Sequence, residues 1–288
     1  MSAQLLIIDP QNDFCDLPPA LCPPGEAPAL PVAGALADLQ RLARFIDAAA
    51  ERLDAITVTL DSHLRLDIAH PGFWCRADGS AVAPFTPISA ADLRSGAFRP
   101  RDPQAAARAQ AYVDELQARG RYTLMVWPVH AEVGSWGQAV QADVRAAYNR
   151  WEERRQRHVE RVLKGRNPWT EHYSALMAEV PDAADPGTQL DRALLARLAP
   201  ARPLLVAGQA SSHCVRATTE HLVEHLVDAA GGDPGRIWLL ADCMSPVAGF
   251  ETEAAAFLDA MRARGLRVTT STEALRALGL PRSEGVAA

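Results

Sequence analysis

Seven short runs rich in aliphatic and β-branched residues punctuate the chain: 4–8 (QLLII), 54–60 (DAITVTL), 121–127 (RYTLMVW), 159–163 (VERVL), 203–207 (PLLVA), 236–240 (RIWLL) and 266–270 (LRVTT). Several are nearly unbroken apolar stretches, as expected of parallel strands covered on both faces. Helical patterns lie between them, near 33–52, 103–119, 137–157, 188–198, 214–230 and 250–264. Parallel neighbours need long crossovers, and helices supply them. The alternation therefore points to α/β architecture, a parallel sheet sandwiched by helices. With 288 residues, 48% of them hydrophobic, the chain can bury such a core.

Two segments interrupt the pattern. Residues 16–31 (DLPPALCPPGEAPALP) hold six prolines and read as a loop. Residues 71–103 have little periodicity, many turn residues and several aromatics. A loop that long is usually functional or a subdomain. The last residues, RSEGVAA (282–288), read as a short frayed end.

Composition removes several function classes. No apolar run approaches the ~20 residues that cross a bilayer. The start, MSAQLLIIDPQNDF, has no basic region and soon meets Asp9, so no secretory signal is expected. A net charge of −6 argues against broad binding to nucleic acid or anionic membranes. Five cysteines (15, 22, 75, 214 and 243) are irregularly spaced without a CxxC pair, which suits free thiols in a reducing cytoplasm. The Arg-rich stretch 150–166 (RWEERRQRHVERVLKGR) is interleaved with glutamates and reads as a solvated helix face.

In open α/β sheets, ligands bind beyond the carboxyl ends of the strands. Here the apolar runs lead into Asp9, into Asp61 and His63, into His130, into Lys164, and into a small polar turn before Cys214. Taken alone, Cys214 is as well explained as a small buried filler. In context, Ser211 or Ser212 is placed to cap the next helix, which would favour a thiolate in its first turn. Backbone N–H groups of the same turn could hold an oxyanion. Asp9 is an available proton acceptor, and Lys164, if close, would steady both groups by charge.

Asp61-x-His63 puts two donors on one side of an extended segment, and His130 offers a third. Three N/O ligands with open positions describe a catalytic metal site suited to zinc, iron or manganese. Alone, the D-x-H pair reads better as a hydrogen-bonded strand end. His70 is a weaker fourth candidate. His213, His221 and His225 show no clear role, and His158 and His172 read as surface or structural.

Five blocks in order, IIDPQNDFC (7–15), TLDSH (59–63), WPVH (127–130), LKG…YSA (163–175) and VAGQASSHCVRAT (206–218), resemble the nicotinamidases of the isochorismatase-like cysteine hydrolases. The blocks span nearly the whole chain. The resemblance implies one domain over 1–288 with a doubly wound, mostly parallel sheet and a long insertion near 71–120. It implies a catalytic triad of Asp9 as base, Lys164 as charged partner and Cys214 as nucleophile. It also implies an oxyanion hole from the N–H groups of Ala210 and Cys214 behind a cis Gln209–Ala210 bond. Phe14 and Trp127 match the aromatic residues that hold a pyridine ring. Asp61, His63 and His130 match a divalent-metal site, with zinc first and iron or manganese as alternatives. The implied reaction hydrolyses nicotinamide or a related aromatic carboxamide to the acid and ammonia, a step of NAD salvage.

There are departures from the family pattern. Ala131 stands where a cysteine often follows the third ligand. The insertion carries Phe73, Trp74, Phe85 and Phe98 and could cover the pocket, changing which amide fits. Three alternatives follow: a cysteine hydrolase of a carbamoyl or ureido compound, a metal-binding module without catalysis, and an iron oxygenase that leaves Cys214 and Lys164 unexplained. The expected partner is a small amide, with neither nucleic acid nor membrane. A homo-oligomer suits such a fold, although no decisive apolar patch marks its surface.

Overall fold

Successive residues of a strand face opposite sides of its sheet, and here both sides are apolar. In the computed structural model, which describes residues 2–280, strand β1 (Ala3–Ile8) sends Leu6 and Ile8 into one buried cluster and Leu5 and Ile7 into another. The expected frayed end, 282–288, lies outside the described residues. With strands numbered along the chain, the central sheet also contains β2 (Leu53–Asp61), β7 (Glu160–Lys164), β8 (Leu204–Gly208), β9 (Ile237–Leu240) and β10 (Arg267–Thr269). Their order is β10-β9-β8-β1-β2-β7, every neighbouring pair parallel. This is the expected mostly parallel α/β sheet.

Helices cover both faces. Leu39, Leu42, Phe45 and Ile46 of α1 (Ala35–Ala49) pack on one face with Val144, Tyr148 and Trp151 of α4 (Ala142–Arg155) and with α8 (Ser271–Ala277). The other face holds α5 (Arg192–Leu198), α6 (Cys214–Val223) and α7 (Glu251–Ala263), through Leu194, Leu198, Val215, Leu222, Phe257 and Met261. The arginines of 150–166 pair with nearby acids, Arg150 with Asp47 and Arg155 with Glu51, as a solvated face should. All five cysteines are free thiols. Among the described residues, no helix is long and apolar enough to cross a membrane.

The insertion builds its own small core. Its strands pair antiparallel in two ladders, β3 (Trp74–Arg76) with β5 (Phe98–Pro100), and β4 (Thr86–Ile88) with β6 (Leu124–Val126). With α2 (Ala90–Ser95) and α3 (Ala106–Arg119) they enclose Phe73, Trp74, Ile88, Tyr112, Val113 and Leu116. This corrects the reading of 121–127 as a strand of the parallel sheet. Only 124–126 form a strand, and it pairs inside the insertion. Arg121 is drawn instead to Glu220, Tyr122 packs on Tyr173 with the rings tilted 55°, and Pro128 follows the short ladder.

Chain order sets the place of the site. From β1 the sheet grows one way to β2 and β7, then the chain returns to the other side of β1 for β8, β9 and β10. The reversal between β1 and β8 is a switch point, where a crevice opens at the carboxyl ends of the strands. Close approach there requires glycine at 208. Its φ is +117°, and a Cβ on it would lie 2.0 Å from the Ile8 carbonyl oxygen.

Candidate active site

Four adjacent strands, β8, β1, β2 and β7, end together and deliver their last residues to one spot. Ile8 pairs with Gly208, so Asp9 emerges beside the turn after β8. Asp61 pairs directly with Lys164. Asp9 is fully buried at a φ of +41°. Its N–H donates to Thr59 Oγ1 at 3.0 Å, and that hydroxyl donates back to Asp9 Oδ1 at 2.5 Å.

Lys164 joins the group from the edge strand. Its Nζ lies 2.9 Å from Asp9 Oδ2, 3.1 Å from Asp61 Oδ1 and 3.6 Å from Cys214 Sγ, and it donates to the His172 carbonyl at 3.0 Å. One buried ammonium therefore bridges two carboxylates and a thiol. Burial opposes its charge, but Asp61 and Asp9 together hold its pKa well above the usual lysine value. Burial likewise raises Asp9, more than the attraction of Lys164 lowers it.

Cys214 opens α6, as expected, but its electrostatics differ from the sequence reading. Neither serine caps the helix; His213 occupies the N-cap position without a side-chain bond. The Ser212 hydroxyl is engaged by Val247 N–H and His213 Nδ1. Burial pushes the Cys214 thiol well above its usual value, the nearby Asp9 and Asp61 carboxylates add to that, and Lys164 only partly offsets it. The resting group is thus a thiol, not a thiolate held by the helix dipole. It needs a base, and a carboxylate whose own pKa is raised is better matched to that proton.

The turn before Cys214 presents backbone donors. The Gln209–Ala210 peptide is cis, at the expected position. The Ala210 carbonyl accepts from His213 and Val215 N–H, both at 3.1 Å. Among the described residues, the N–H groups of Ala210 and Cys214 have no partner.

Asp61, His63 and His130 come together with ligand atoms all within 4.8 Å of one another. Each histidine is oriented from behind. His63 Nδ1 pairs with Asp67 Oδ2 at 3.2 Å, and His130 Nδ1 with the Pro128 carbonyl at 2.8 Å, which turns both Nε2 atoms inward. His63 Nε2 is buried with no hydrogen-bond partner. That nitrogen faces Asp61 Oδ2 at 3.2 Å, an arrangement that fits a shared cation. His130 reaches the cluster not from a neighbouring strand but through a bridge, in which His63 N–H donates to Ala131 O and Val133 N–H to His63 O, both at 3.0 Å. His70 stands behind His130, its Nε2 3.4 Å from His130 Nδ1, outside the three-residue cluster.

Glu171 escapes sequence reading. It is 2% exposed, its Oε1 lies 3.8 Å from His63 Nε2, and its Oε2 has no hydrogen-bond partner. Burial raises its pKa, and the His63 charge pulls it down. A second buried acid therefore faces the cluster. Nothing in NPWTEHYS (167–174) marks it, because no periodic element carries it there.

Phe14, Trp127, Tyr173, His130, Ala210 and Cys214 line a narrow cavity of about 20 Å³. Trp127 Nε1 donates to Tyr173 Oη at 3.0 Å, which fixes the indole as a wall. Of the insertion's aromatics, Phe73 and Trp74 are buried in its own core and Phe98 packs against it. Phe85 instead packs against a lining residue, its ring 5.9 Å from Trp127 at 87°.

No protein-family model and no curated sequence matches the chain. Solved structures do. The yeast nicotinamidase bound to the inhibitor nicotinaldehyde aligns at a TM-score of 0.61 and 17% identity, covering 93% of this chain and 99% of that one. The pyrazinamidase of Pyrococcus horikoshii in complex with zinc aligns at 0.54 and 18% identity, over 94% and 99%. An isochorismatase-like hydrolase of Alkaliphilus metalliredigens aligns at 0.53 and 16%, over 96% and 99%. These similarities show an isochorismatase-like fold along nearly the whole chain.

Proposed function

We propose that the protein is a metal-containing cysteine amidase that hydrolyses nicotinamide or a related aromatic carboxamide through a thioester. The observation that carries this reading is the buried Asp9–Lys164–Cys214 group, with its ammonium 2.9 Å from the carboxylate and 3.6 Å from the sulfur, and with Cys214 lining an aromatic-walled cavity. The fold shared with nicotinamidases supports it.

The carbonyl carbon of the amide sits against Cys214 Sγ, with its ring between Phe14 and Trp127. Asp9 takes the thiol proton as sulfur attacks, and the carbonyl oxygen becomes an oxyanion facing the Ala210 and Cys214 N–H groups. Collapse breaks the C–N bond, and Asp9 returns the proton to the departing nitrogen, giving ammonia and a thioester. Water, deprotonated by Asp9, attacks the thioester. The acid leaves, and the proton returns to sulfur. Lys164 stays charged throughout and keeps Asp9 and Asp61 from repelling one another. Asp61, His63 and His130 would hold a divalent metal, with zinc as the first candidate, which would supply Lewis-acid chemistry beside the cavity.

The test is ammonia release from purified, metal-loaded protein supplied with nicotinamide, with a panel of aliphatic, carbamoyl and ureido amides alongside. Turnover of aromatic carboxamides above the rest is expected. Preference for a carbamoyl or ureido compound would overturn the substrate assignment, and release from none would overturn the amidase itself.

A further inference from the structure

We infer that Phe85 is a specificity-determining residue, and that the insertion adapts the pocket to carboxamides whose aromatic system extends beyond a single ring. This rests on the amidase reading above and adds to it what the insertion contributes.

The ladder places Phe85 where it is. Thr86 pairs with Val126 as the last rung between β4 and β6, and Phe85 N–H donates to the Val126 carbonyl at 2.6 Å. The residue beyond each end of that rung is an aromatic, Phe85 on one strand and Trp127 on the other. Their rings meet edge to face, 5.9 Å apart at 87°. Trp127 is a wall of the cavity, and Phe85 packs against that wall from outside the lining residues.

Folding alone gives no reason for this arrangement. Phe85 is 52% exposed and contributes nothing to the insertion's core. Its φ is +61°, a conformation that bulky side chains rarely adopt. Among the described residues, four other than glycine have positive φ. Gln156 closes α4. The remaining three are Asp9, Ala131 beside His130, and Phe85 against Trp127, so the unusual backbone gathers around the site. Phe250 also packs near these lining residues, 6.3 Å from Trp127 and 4.7 Å from His213. A half-exposed aromatic packed on the wall of an apolar-lined cavity is suited to a flat apolar extension of the substrate.

The experiment compares nicotinamide with quinoline-3-carboxamide on metal-loaded wild type, Phe85→Ala, Phe85→Gly and Phe85→Tyr. The glycine variant removes the ring and relaxes the backbone at positive φ, so agreement between it and alanine assigns the effect to the ring. Wild type is expected to turn over both amides. In the alanine and glycine variants the ratio of the two-ring KM to the one-ring KM should rise about three- to tenfold, as loss of one aromatic contact implies, with kcat changing less. Tyrosine should restore the wild-type ratio. An unchanged ratio, a fall in kcat common to both amides, or a wild type that rejects the two-ring amide overturns the inference while leaving the amidase reading intact. Unchanged kinetics with a changed molecular mass in solution would assign Phe85 to a subunit interface instead. Release from neither amide by wild type overturns the amidase reading, and this inference with it.

Discussion

Cys214→Ala is expected to lower ammonia release by roughly four orders of magnitude or more while leaving a folded protein, because no other group can form the thioester. The change removes one sulfur from a residue that is 7% exposed, so its stability cost should be about 1 kcal/mol, readable as a small shift of the urea midpoint. Cys15→Ala and Cys243→Ala serve as controls. Both thiols are buried, burial pushes the Cys15 pKa up to about 12, and neither touches Lys164 or Asp9. Both controls should keep turnover. A Cys214→Ala protein retaining a tenth of wild-type activity would exclude the sulfur as nucleophile.

Lys164→Met should have the second-largest effect, on stability as well as on rate. The ammonium is 2% exposed and is the shared partner of Asp9 and Asp61. Without it two carboxylates remain buried side by side, and breaking one partner out of such a group costs roughly 3–5 kcal/mol. Turnover should be lost, because an Asp9 without the cation protonates and no longer serves as base. Two further measurements separate charge from packing. Asp9→Asn added to Lys164→Met should recover part of the lost stability, since it removes one of the stranded charges. A divalent cation should recover more of it by compensating Asp61. If methionine at 164 leaves the urea midpoint unmoved, the account of Lys164 as a charge hub is wrong.

Most of the central sheet and much of the site were legible in the sequence for one physical reason. Parallel strands buried on both faces show as unbroken apolar runs, and the first polar residue after such a run must lie at the strand end. Asp9 and the turn before Cys214 follow that rule, whereas Asp61 ends a run broken by threonines and Lys164 ends a partly exposed edge strand that holds Glu160 and Arg161. The rule fails where position depends on the path of a loop. His130 follows a run that belongs to the insertion, and it arrives through the bridge between His63 and Glu132. Glu171 sits in a segment without regular structure, so its approach to His63 has no sequence signal. The state of the thiol was equally hidden. Helix geometry alone argues for a thiolate, whereas the depth of burial and the two neighbouring carboxylates, which outweigh Lys164, exist only in three dimensions. Strands β3, β4 and β5 escape notice because each has three residues, too few to show a period, while β6 lies inside the run read at 121–127.

The central claim is that Cys214 becomes acylated, and the most direct measurement is intact mass of the metal-loaded protein quenched in acid during turnover of nicotinamide. The account predicts one added acyl group, lost on treatment with hydroxylamine, mapped by peptide digestion to Cys214 and missing in Cys214→Ala. Steady release of ammonia with no acyl adduct at Cys214, and undiminished in Cys214→Ala, would contradict it and require direct attack by water.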